Sequence, residues 1–311
     1  MKGTKYAIFI IGALAAIAGL GAADLFCGAA ATDAEVIRLL RLPRAVTAVL
    51  AGAALALAGT QMQSVLRNPL ADPHIMGVSS GAALGAALAT MWGGSGAGLT
   101  VAGAAFAGAA ATASAIMAIS KRFRSADTLL IFGVMLGFIA NAIISILQFS
   151  SDGESLKAFY SWSAGSFSTT TWSHVGIIAS ALIIGFILAA RNHKGLDIIL
   201  FGDEFAEMAG ACTVRIRLTA MLGSCILTAA VTAFCGPLGF VGIVAPHIAR
   251  GLLGTSVHAR ILPASLLTGA IISLGADLLS QLAPSPLPTA STMAIIGIPV
   301  IFYIILKKPQ R

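Results

Sequence analysis

Residues 41–86 read RLPRAVTAVLAGAALALAGTQMQSVLRNPLADPHIMGVSSGAALGA. From Arg44 to Gln63 the run is dominated by alanine, leucine and glycine, and as a helix it is long enough to cross about 30 Å of hydrocarbon. Small residues let membrane helices approach closely where no hydrophobic effect drives them together. Arg67, Asn68, Pro69, Asp72 and Pro73 then end the span, because each proline disfavours helix in the residue before it. A second apolar run opens at Met76 and reaches only Met91, with Gly77, Gly81 and Gly85 inside it. The stretch predicts a full span, a polar turn and a short interrupted span, which makes the fold all-α.

The remainder of the chain repeats this alternation. Of 311 residues, 58% are hydrophobic and 10% charged, with a mean hydropathy of +0.94, against about 25% charged residues in an ordinary soluble domain. This is the composition of a polytopic membrane protein. Apolar stretches predict spans over residues 6–27, 44–63, 76–91, 99–120, 128–150, 174–190, 216–235, 238–254, 261–280 and 289–306, about ten transmembrane helices in all, so both termini share a side. The first run is long for the apolar core of a signal peptide and is read as a retained helix. The third and eighth spans, short and rich in glycine or proline, are expected to line a cavity or pack against protein. No separate soluble domain is visible, so residues 1–311 are read as a single transmembrane domain. A weak echo between DPHIMG (72–77) and APHIAR (245–250) fits either an internal repeat or chance.

Basic residues concentrate on the cytoplasmic side of bacterial membranes. With the N-terminus inside, fifteen of the nineteen lysines and arginines fall on the inner segments. Arg38, Arg41, Arg44 and Lys157 are left outside, and the first three recur at every third position of RLLRLPR (38–44). They either hold lipid headgroups and cap the second span, or they meet a partner. The formal net charge of +7 follows from this topology and from contact with anionic membrane lipids, and is no sign of nucleic acid. Cys27, Cys212, Cys225 and Cys235 show no CxxC spacing, so no metal site is expected. No GxxxxGK[ST] is present to hold ATP, and no HExxH or nucleophile–base pattern marks an intramembrane enzyme. Asp277 is the one acid within a span that could serve ion coupling, and local capping accounts for it.

Four segments resemble the FecCD-type permeases, the membrane subunits of ABC importers for ferric siderophores, haem and cobalamin. They are the stretch quoted above, GDEFAEMAGACTVRIR (202–217), GPLGFVGIVAPHIAR (236–250) and ILPASLLTGAIISLGADLL (261–279). The resemblance covers almost the whole chain. It implies the type II ABC importer permease fold, a homodimer, two ATP-binding cassette subunits that hold ATP and Mg, and a soluble substrate-binding protein. It places the chain in the bacterial or archaeal cytoplasmic membrane, with both termini cytoplasmic and with no cofactor or catalysis of its own. A ferric siderophore is the expected cargo. Haem, cobalamin or an oxyanion are the alternatives, and an ion-coupled secondary transporter is the reading of a different class.

Residue by residue, the resemblance implies that Arg41 and Arg44, extended by Arg38, meet glutamates of the binding protein. It makes Gly202, Asp203, Glu204, Glu207 and Gly210 the coupling helix that sits in a cleft of the ATPase. Independently of family, acids after Gly202 suit a helix start and Gly210 suits its stop. Asn68 and Pro69 form a turn, and Gly77, Ser79, Ser80 and Gly81 open a helix beside the pathway. Gly236, Pro237 and Gly239 are expected in a short helix at the outer mouth, followed by a descending helix with Pro246 and His247. His247 is either a proton relay or hydrogen-bonded to a loop. Asp127 lies near the inner gate or caps its helix. An acid that relatives carry in an ELP motif is missing from APSPLPTAS (283–291), which leaves the mouth near Pro284 and Pro288 unassigned.

Overall fold

The structure is a computed structural model that describes residues 3–26, 33–92, 98–120, 126–282 and 287–307. Among these residues the regular structure is entirely helical. The order is α1 (Gly3–Phe26), α2 (Ala34–Val36), a π turn (Ile37–Arg41), α3 (Leu42–Val65), a 3-10 turn (Pro73–Met76), α4 (Val78–Met91), α5 (Gly98–Ser120) and α6 (Ala126–Phe149). It continues with α7 (Gly153–Ser163), α8 (Trp172–Ile199), α9 (Asp203–Met208), α10 (Thr213–Cys235), α11 (Val241–Leu253), α12 (His258–Leu282) and α13 (Thr289–Lys307). Among the described residues, seven helices are long and apolar enough to cross a membrane, and α4, α11 and α13 are shorter apolar helices. Together they match the ten predicted spans.

The second span starts earlier than its apolar core suggests. α2, the π turn and α3 run on as one rod, Ala34–Val65. The widened turn lies just ahead of Pro43, whose ring would otherwise press on the carbonyl one turn back. α7 was not foreseen. It begins where the Asp152 side chain accepts a hydrogen bond from the Ser155 N–H at 2.9 Å, an N-cap that starts a helix in an otherwise polar connection.

α3 and α10 form the centre, buried nearly all round, whereas α1, α6 and α8 turn Ile8, Ile11, Ile131, Phe138, Ile183 and Ile187 outward. What allows α3 to sit so deep is backbone contact. A Cβ built at Gly52 would overlap the carbonyl of Gly269 in α12, and one built at Gly59 would overlap the carbonyl of Gly242 in α11.

α11 and the 3-10 turn that leads into α4 both lie beside the middle of α3. At Gly242, the second residue of α11, a Cβ would stand 3.0 Å from Cδ of Pro73 and 3.2 Å from the carbonyl oxygen of Leu55. After the end of α3 the chain therefore climbs back along it, makes the 3-10 turn, and leaves as α4. Residues 236–239 are not helical, so the expected short helix at the mouth does not form. Pro237 has no N–H to give to a helix, and the Leu238 carbonyl is engaged elsewhere. The echo between DPHIMG and APHIAR is likewise not a structural one, since the first makes the 3-10 turn and the second lies inside α11.

Candidate functional site

The two returning segments meet at His74. Its Nε2 lies 2.6 Å from the Leu238 carbonyl, which can only accept, so Nε2 carries the proton. Nδ1 is then the acceptor for the Ser79 hydroxyl in the first turn of α4. Asp72 fixes the ring's position by accepting the His74 N–H at 2.9 Å. Sequence reading singled out Ser79 but missed His74, which is the residue that joins the two interrupted elements. Ser80 lies beside Gly137 of α6, and Gly77 turns into α4 with φ of 74°. Gly81 packs its backbone on Gly108 of α5. Asn68 accepts the Leu70 N–H at 2.9 Å and so shapes the turn that includes Pro69.

Pro246 and His247 fall inside α11. A proline there cannot donate to the Gly242 carbonyl four residues back. Gln63 of α3 takes over that task, its Nε2 donating to Gly242 O at 3.2 Å and Ile243 O at 3.3 Å. The Gln63 Oε1 in turn accepts from Arg250 at 2.6 Å. His247 Nδ1 contacts the Ile243 carbonyl at 3.0 Å, within its own helix.

At one end of the bundle two of the three arginines are turned inward. Arg41 is 8% exposed and donates to the Leu25 carbonyl at 2.7 Å. Arg44 grips Asp277 with two hydrogen bonds of 2.8 Å, and the Asp277 side chain has no exposed surface. Asp277 is therefore not a local cap but the partner of a charge on another helix, as a buried carboxylate requires. Asp24 of α1 is buried as well and accepts from Gln281 at 2.5 Å. That second acid escaped the sequence reading because it lies near the end of an otherwise apolar run. Arg38 is exposed, while its backbone carbonyl receives the Trp172 indole N–H at 3.1 Å. A cavity of about 730 Å3 lies at this end, with Arg44, Glu154, Ser161, Trp162, His174 and Ser280 among its walls.

The opposite end carries α9. Gly202 and Gly210 flank it with φ of 108° and 79°, as a helix bracketed by two glycines should have. Its acids divide. Asp203 points inward to Arg217 of α10 at 2.5 Å and to Arg67 at 3.8 Å, Glu207 accepts from Thr213 at 3.0 Å, and Glu204 is exposed. The outward face is largely apolar, with Phe201, Phe205 and Met208 exposed by 74%, 49% and 80%. Large apolar residues in the one acidic connection were the signal available for these three.

Near the same end Ser64, His258 and Asp197 form a chain, with His258 2.6 Å from each partner. Sequence reading found no nucleophile and base within spans, and the fold brings such a pair together. It is structural: Ser64 and His258 are each 1% exposed, and the Ser64 hydroxyl lies 2.9 Å from the Thr60 carbonyl. The Asp127 side chain, Lys121, Arg122, Arg124, Cys27 and Pro284 lie outside the described residues.

The model of the FecCD transport family matches residues 6–307. An uncharacterized ABC transporter permease protein of Bacillus subtilis, YvrB, is 32% identical over 99% of this chain and 96% of its own length. The hemin transport system permease protein HmuU of Yersinia pestis is 34% identical over 88% of this chain and 83% of its own. A solved structure described as an inward-facing conformation of a metal-chelate type ABC transporter superposes with a TM-score of 0.88 at 30% identity, over 96% of this chain and 98% of that one. The fold of interrupted helices around α3, the exposed α9 and these matches lead to one conclusion: the chain belongs to the FecCD transport family and is a non-catalytic membrane permease subunit of an ABC transporter.

Proposed function

We propose that this permease works as a homodimer with two ATPase subunits, and that it moves a metal chelate, with ferric siderophore the first choice, from a soluble binding protein into the cytoplasm. The observation that carries this reading is the opposed chemistry of the two ends. α9 offers Phe201, Phe205, Met208 and Glu204 on a short exposed helix, suited to a cleft in a motor subunit. The end with Arg44 offers a cavity of about 730 Å3, within the range that holds drug-sized ligands and far larger than a small oxyanion needs. Arg67, Lys194, Arg215, Arg217, Arg250 and Arg260 belong to the α9 end, which supports placing it in the cytoplasm. Docking of the binding protein then falls to the opposite rim, where Arg38 and Lys157 are exposed and Arg41 and Arg44 lie beneath.

Haem and cobalamin fit the same machinery. The buried pair Asp24 and Asp277 is the feature that would favour ion coupling instead, but Arg44 already engages Asp277. Vesicles loaded with ATP, holding the permease and its ATPase, are expected to take up chelate from the loaded binding protein without any ion gradient. Uptake that follows a proton or sodium gradient and ignores ATP would overturn the proposal. Binding of ferric hydroxamates, ferric citrate, haem, cobalamin and molybdate to the partner binding protein would identify the cargo.

A further inference from the structure

We propose that Asp203 is the joint through which α9 moves the bundle, clasped between Arg217 of α10 and Arg67 at the end of α3. The inference rests on reading α9 as the coupling helix and adds how its displacement would leave it. α9 has six residues, of which Ala206 is the buried one, and it hangs between two glycines in left-handed or open conformations. So short an element transmits force only through its fixed contacts. The Asp203 carboxylate supplies one to each of two central helices, 2.5 Å from Arg217 and 3.8 Å from Arg67.

The two arginines do different work. The Arg217 side chain is 5% exposed, which makes it the inner, fixed side of the clasp. Arg67 is 42% exposed, and a pair of that kind contributes little to stability. Its backbone nevertheless has φ of 48°. It occupies the position after a helix end where Asn68 N–H bonds to Gln63 O at 3.1 Å and Arg67 N–H to Ser64 O at 3.3 Å. Glycine is the ordinary residue there, and any L side chain is disfavoured by about 1 kcal/mol. Nothing in the turn itself calls for arginine. What arginine adds is reach, because its guanidinium approaches both Asp203 and the position of a Cβ on Gly202, 3.5 Å away.

The last turn of α3, just before Arg67, holds four other contacts. Gln63 is bonded to Gly242, Ile243 and Arg250 of α11, and Ser64 meets His258 of α12. A displacement of α9 that pulls on Arg67 therefore reaches α11 and α12 through one turn of helix, and reaches α10 directly through Arg217. That is a contiguous mechanical route from the motor side to the elements that meet at His74.

The test uses the full permease assembled with its ATPase in lipid vesicles, with the four native cysteines replaced and spin labels placed at the exposed positions Phe149 and Leu282. Addition of ATP is expected to shift the distance distribution between these labels. Arg67→Gly, which relieves the backbone and so spares folding, is expected to keep ATPase association and hydrolysis while cutting the shifted population about fivefold or more, the low end of typical coupling between sites. Asp203→Asn is expected to cut it further, and Asp203→Glu to restore it. An unchanged shift in Arg67→Gly and Asp203→Asn would overturn the joint. A permease with native Asp203 and Arg67 that holds the ATPase but shows no ATP-driven shift would overturn the reading of α9 beneath it.

Discussion

The two ends of the bundle manage an aspartate and arginines in opposite ways. At one, Arg44 and Asp277 form a two-point grip with the acid fully enclosed. At the other, Asp203 stands a third exposed between two arginines, on a helix bracketed by glycines. Burial makes the first pair a fixed strut, because separating it strands a charge in a poorly solvated place. Exposure of Asp203 and Arg67 makes the second a joint, because on that side water can replace what movement breaks. The arginines of the opening motif thus serve the fold first, and only Arg38 among the three keeps an exposed side chain.

The largest test of that contrast is Asp277→Ala. Leaving Arg44 without its partner is expected to destabilise the protein by about 3 kcal/mol or more, seen as a lowered midpoint in detergent unfolding, whereas Asp203→Asn leaves Arg217 a neutral acceptor in place of a charged one and is expected to shift it by only about 1–1.5 kcal/mol. Equal effects would erase the distinction. Next in size is Gly59→Val, where the carbonyl of Gly242 cannot yield. The expected loss is about 1–3 kcal/mol, checked by the same unfolding and by protease resistance. Smaller is Arg38→Glu, which is expected to weaken capture of the loaded binding protein by about 0.2–1 kcal/mol, mainly through a slower, more salt-sensitive association, with the unfolding midpoint unmoved. Arg44→Glu is a poorer probe of docking, since it also breaks the strut.

The smallest effect concerns α7. Hydrogen bonds from Ser155, its side chain first and its backbone N–H second, hold the Asp152 carboxyl below its ordinary value of 3.8. A lowered carboxylate pKa stabilises the folded state above that ordinary value, and the contribution is lost as pH falls through the lowered one. At neutral pH the cap is therefore complete. Asp152→Ala is expected to speed amide exchange in α7 alone, Asp152→Asn to change it little, and acidification to reproduce the alanine behaviour only well below pH 4.

The positions of the ten apolar helices were legible in the sequence because each needs a run of apolar residues, and runs are visible in one dimension. α9 was legible for a different reason: acids between two glycines form a local signal. What stayed hidden were pairings between helices. No spacing rule links Arg44 to Asp277, His258 to Asp197 or His74 to Leu238, and sequence reading gave Asp277 a local role because its partner lies on another helix. The non-helical path of residues 236–239 was hidden for the same reason, since His74 from a distant segment takes the carbonyl that a helix would have used.

The bond from Gln63 to the carbonyls below Pro246 ties two distant positions into one hereditary unit. A chain that lost the amide while keeping the proline would carry an orphaned carbonyl and a stranded Arg250, and one that lost the proline would have little further use for an amide at 63. Among descendants of this protein the two sites should drift together or not at all, so a paired change at 63 and 246 would be the mark of a lineage that rebuilt this crossing.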